Sequence, residues 1–137
     1  MPDAPTRIEA EPGEENPLAQ VSAAMVKLHK EQFGRGPRRT RTNWAGSDTI
    51  VCLLWDTLTP AERRMAELGE HQRLRDVRLF FQHATEAQFR EVVEEIIGRP
   101  VRAFVSGMDT NQDVAVELFV LEPEDGQTSG TRSPAAS

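Results

Sequence analysis

Twice along this chain a helical stretch stops at Gly-Arg. Each time it gives way to two short strand-like runs that close on an apolar segment and a proline. "FGRGPRRTRTNWAGSDTIVCLLWDTLTP" lies over "IGRPVRAFVSGMDTNQDVAVELFVLEP". Gly34-Arg35 matches Gly98-Arg99, Asp48 matches Asp113, and Leu58–Pro60 matches Leu121–Pro123, with slips of one or two residues. An internal pseudo-repeat of this kind narrows the topology. It predicts two helix–hairpin units whose hairpins join into one four-stranded antiparallel sheet, with helices packed on one face, an α+β fold. Glycines where a helix stops before a hairpin serve chain reversal.

The local signals fill in a helix–hairpin–helix–helix–hairpin order. Asn16-Pro17 starts the first helix, with Asn as N-cap and Pro at the first helical position. Leu18, Val21, Met25 and Leu28 form its apolar stripe, and Gly34, Gly36 and Pro37 stop it. Residues 38–44 and "TIVCLLW" (49–55) make the first hairpin around "AGSD". Thr59-Pro60-Ala61-Glu62 reads as a capping box opening a short helix that ends near Gly69. A longer helical region follows with Leu74, Val77, Phe81, Phe89, Val92, Val93 and Ile96 facing inward, a break or kink near Thr85, and a stop at Gly98 and Pro100. Residues 101–107 and 113–121 are the second hairpin, around "MDTNQ". Trp55 and Phe119 each lie on the second strand of their hairpin, so the repeat places both in one core.

A length of 137 residues suits one domain, expected at 17–123. Residues 1–16 are expected to be a disordered acidic tail, with Asp3, Glu9, Glu11, Glu14 and Glu15 against Arg7. Residues 124–137 are expected to be a second disordered tail, because neither end carries enough apolar side chain to offset the entropy of ordering. The formal charge of −6 sits in residues 1–16 (−4) and 122–137 (−2), and residues 17–121 are neutral. That balance argues against a dedicated nucleic-acid binder, which carries a strong basic excess. The first residues lack the basic-then-apolar pattern of a leader, so none is expected, and no apolar run nears the roughly 20 residues that span a bilayer. A lone cysteine, Cys52, cannot form an internal disulfide. A cytoplasmic setting is therefore expected.

The segments "FGRGPRRTRT", "LTPAERRMAELGE" and "GRPVRAFVSGMDTNQDVAVELFVLE" together resemble a family of small bacterial proteins called MpsC-like, formerly classed as a domain of unknown function. The resemblance covers about residues 17–122. Its name looks back to a sodium-translocating, membrane-potential-generating system. It implies a non-catalytic accessory or regulatory role, binding a protein partner beside a membrane transport complex.

The basic stretch Arg35, Arg38, Arg39 and Arg41, with Lys27 and Lys30 just before it, is the one concentrated charge feature; residues 27–41 net +5. It is a candidate surface for an anionic partner, and a nucleic-acid contact is the alternative. A sheet edge kept soluble by charge would look the same. "GRGPRR" is not a phosphate-cradling loop, since the order is helix then strand and no Lys-Ser/Thr follows. "DTNQDV" (109–114) alternates like the start of a calcium loop, but Val114 stands where Gly is needed and Val120 where Glu is needed, so a turn is expected. His29, His71 and His83 share no His-x-x-x-His spacing, so no metal or other cofactor is expected. Cys52, within an apolar run, reads as a small core residue. No nucleophile–base grouping can be argued from spacing, so no enzyme is expected. Glu86, Glu91, Glu94 and Glu95 form an acidic helical surface that can meet the basic stretch within the chain or across a homodimer interface.

Overall fold

The computed structural model describes residues 6–9 and 16–124. The elements run β1 (Arg7–Glu9), α1 (Pro17–Phe33), β2 (Arg39–Trp44), β3 (Thr49–Trp55), α2 (Pro60–Glu67), α3 (His71–Ile97), β4 (Val101–Asp109) and β5 (Val114–Leu121). Strands β2, β3, β5 and β4 lie side by side in that order and are antiparallel throughout. This is the expected four-stranded sheet of an α+β fold.

The helix boundaries follow from the capping chemistry. Asn16 Oδ1 accepts from the Leu18 N–H at 2.8 Å, and Pro17 takes the first helical position. Gly34 ends α1 at φ +85° and Gly98 ends α3 at φ +81°, so the paired glycines of the repeat make the same left-handed turn. At Thr59 both halves of the capping box are formed with Glu62.

Alternation along β3 and β5 then fixes the layers. Ile50, Cys52 and Leu54 on β3, with Ala115, Phe119 and Leu121 on β5, are buried against Val21 and Met25 of α1 and Phe89 and Val93 of α3. Between them Val51, Leu53, Val116, Leu118 and Val120 point to the other face of the sheet and are half-buried.

Four expectations are corrected. Residues 7–9, inside the segment expected to be a tail, form a strand that pairs in parallel with β2 and covers its edge; residues 1–5, 10–15 and 125–137 lie outside the described residues. No break interrupts α3 near Thr85, whose hydroxyl donates back to the Phe81 carbonyl within a continuous helix. Val77 and Phe81 do not face inward. The buried positions of that half of α3 are Leu74, Arg78 and Gln82. Val77 and Phe81 each fall one residue short of the buried row, about 100° around the helix. Finally, Trp55 and Phe119 are on opposite faces: Phe119 is in the helix-covered core, whereas Trp55 pairs with Val114 on the open face.

Candidate functional site

The structure places the four arginines of the basic stretch in two separate groups. Arg35 donates to the Leu58 carbonyl at 3.0 Å and lies 3.8 Å from Asp56. Arg38 pairs with the same Asp56 at 2.7 Å, where Arg63 also docks. Arg39 and Arg41, two apart on β2, both lie over the Trp55 ring, 4.1 and 5.4 Å from its centre. The stretch therefore divides into an Asp56-centred cluster at the end of β3 and a two-arginine stack on the open face of the sheet. Two of the acidic residues of α3 have partners outside the basic stretch: Glu86 binds Arg90, and Glu94 accepts from the Val101 N–H.

A second surface was not legible as such. On α3 the exposed large apolar residues are Phe80 at 67%, Leu79 at 46%, Val77 at 41% and Phe81 at 38%. Val77, Phe80 and Phe81 share one side of the helix, continued by the exposed Ala84. Phe81 packs edge-on to both Phe80 and Phe33, which ties the stripe to the end of α1. Exposed Arg73, Asp76 and His83 border it.

A third feature is a cleft of about 160 Å3 between α3 and β4, floored by β5 and closed at one end by α1. At its polar end Glu117, on β5, is fully buried. His29 Nε2 reaches Glu117 Oε2 at 3.0 Å, and Gln82 Nε2 donates to the same oxygen at 2.7 Å. Phe33 and Phe89 hold the imidazole by ring contacts. Gln82 also donates to the Ser106 hydroxyl. Glu117 Oε1, His29 Nδ1 and Gln82 Oε1 are buried without a hydrogen-bond partner. Arg78, on the cleft wall, does not neutralise Glu117. Its guanidinium is held by Glu62 at 2.6 and 2.8 Å and by the Thr57 carbonyl, and lies over the Phe33 ring. Burial pushes the Glu62 carboxyl up, but the hydrogen bonds from Arg78 and Thr59 and the Arg78 charge outweigh it and hold the group below its ordinary value.

Parity in the sequence carries a signal for this cleft. In "VAVELFVL" the inward residues are Ala115, Glu117, Phe119 and Leu121, so a carboxylate sits where an apolar residue belongs. His29 likewise continues the inward row of Val21 and Met25 on α1. The basic stretch drew attention to surface charge instead.

No curated protein and no solved structure matches the chain significantly. A family model described as "Na+-translocating membrane potential-generating system (MpsC)" matches residues 15–123, a span that takes in all three helices and the whole antiparallel sheet, and the chain belongs to the MpsC family.

Proposed function

We propose that this chain is a non-catalytic accessory domain that binds a protein component of a membrane-potential-generating system, from the cytoplasmic side, through the exposed stripe of α3. The observation that carries this reading is the exposure of Val77, Phe80 and Phe81 on one side of a helix whose opposite side is in the core. Clustered exposed phenylalanines mark the central part of protein–protein interfaces. The bordering Arg73, Asp76 and His83 make a rim of mixed charge, which favours a partner segment that is apolar at its centre and polar at its rim. The family description supplies the link to a membrane system. No helix among the described residues is long and apolar enough to cross a membrane, so in this reading other components form the translocation path.

The test is photo-crosslinking from position 80 in the native host. A crosslink to one membrane-complex component, lost when Phe81 is changed to Ser and competed by unlabelled wild-type chain, supports the reading. Sedimentation of the purified chain asks whether the stripe instead joins two copies, and flotation with anionic vesicles asks whether it meets lipid. Self-association or vesicle binding abolished by Phe80→Asp, with no crosslinked component, would overturn it. A steep fall of binding to duplex DNA with rising salt, through Arg38, Arg39 and Arg41, would favour the nucleic-acid alternative.

A further inference from the structure

We propose that the cleft between α3 and β4 is a binding site for a small organic molecule with an apolar body and a hydrogen-bond-donating head, the head seated on the Glu117 carboxylate. A carboxyl group taken fully out of water is expensive unless its oxygens are satisfied. Here both neighbours converge on Oε2, and Oε1 is left open.

The other two open atoms fit the same ligand. When His29 donates from Nε2 to the carboxylate, its Nδ1 is an acceptor. Gln82 donates from Nε2, so its open Oε1 is an acceptor too. With His29 in that tautomer, three buried acceptors without a partner belong to residues that line one cleft, and the complementary group is a donor. Apart from Arg75, Arg78 and Ser106, the remaining side chains of the lining are apolar: Leu79, Met108 and Ala115. A volume of about 160 Å3 is close to that of an apolar cavity able to take a benzene ring, about 150 Å3. Leu79 and Arg75 are exposed at the rim, which provides an entry. Because Arg78 is bound to Glu62, it does not compete for Glu117.

The probes are benzylamine, benzyl alcohol, toluene and benzoate, which share a ring and differ in the head. Amide resonances of Gly107, Met108 and Ala115 and the thermal midpoint are followed as each is titrated. Saturable shifts are expected with benzylamine or benzyl alcohol, weak ones with toluene and none with benzoate; the ratio of the first two tells a cationic from a neutral head. Glu117→Gln should weaken binding of the donor probes about tenfold or more. Since that variant can fail to fold, Leu79→Trp at the exposed rim is the second: it should close the entry, abolish the shifts and leave the melt unchanged. Equal response to benzoate, survival of the shifts in Leu79→Trp, or no response to any probe at millimolar concentration would overturn the proposal and leave the cleft to water.

Discussion

The Asp113 carboxylate closes on the backbone of Thr57, 56 residues away in the chain, accepting its N–H at 2.8 Å. The same carboxylate accepts from the Thr57 hydroxyl and the Leu58 N–H, and Arg63 lies 3.4 Å from it. Asp113 adopts φ +56° at the turn into β5, a conformation that Asp tolerates better than most residues. One side chain thus fastens the turn of the second hairpin to the segment leaving the first.

Asp113→Ala should therefore destabilise the protein by about 2–4 kcal/mol, because two buried backbone N–H groups lose a charged acceptor. Asp113→Asn, which keeps one acceptor oxygen, should fall between. Urea denaturation measures both. A loss under about 0.5 kcal/mol for the Ala variant would mean that water replaces the carboxylate without penalty.

The repeat that made the fold legible also explains where the sequence misled. Asp48 and Asp113 hold equivalent places: the Leu121 N–H donates to the Asp48 carbonyl, and the Asp56 N–H donates to the Asp113 carbonyl. That correspondence sets Leu54 against Phe119 and Trp55 against Val120. Leu54 and Phe119 are both buried, and Trp55 and Val120 are both half-buried on the open face. Matching Trp55 to Phe119 slips the register by one residue, and a slip of one exchanges the faces of a strand. The inward face of α3 was missed for a different reason. Arg78 and Gln82 are buried because Glu62 and Glu117 await them, and those partners come from remote elements that helical periodicity does not reveal.

Glu62→Gln should leave the Arg78 guanidinium buried without its charge partner and cost about 3 kcal/mol at neutral pH. The acid limb carries the same information. The folded Glu62 carboxyl lies below its ordinary value, so its contribution is present above the unfolded value and disappears as pH falls through the folded one. The wild-type protein should lose this increment in acid, whereas Glu62→Gln has none to lose. Parallel stability curves for the two proteins below pH 5 would contradict the pairing.

Burial pushes the Cys52 thiol from 9.0 up to about 11, against the pull of hydrogen bonds with Thr40 and Thr42. The unfolded chain ionises first, so stability present below pH 9 should be lost as pH rises toward 11, by about 2 kcal/mol across that window. Cys52→Ala should be less stable throughout but lack this slope. A thiol reagent at pH 8 should label native Cys52 only on unfolding. Rapid labelling without loss of native signal would show that the sheet opens at β3.

The arginines of the first hairpin are expected to matter little for folding. Arg38 forms an ion pair with Asp56 near the surface, and such pairs contribute about 0–1 kcal/mol. Arg39 and Arg41 lie over Trp55, where each contact is worth about 0.5–1 kcal/mol at an exposed site. Gly34 carries the structural role: it has φ +85°, so Gly34→Ala should lower stability by about 1 kcal/mol and leave the charges in place. Replacing Arg38, Arg39 and Arg41 together with Gln should keep a cooperative melt. If the stack on Trp55 meets an anionic partner, that triple variant binds the partner more weakly than wild type, with the gap widest at low salt where screening is least. Equal affinity at every salt concentration would assign these side chains to solubility of the sheet face, and loss of the folded state would assign them to structure.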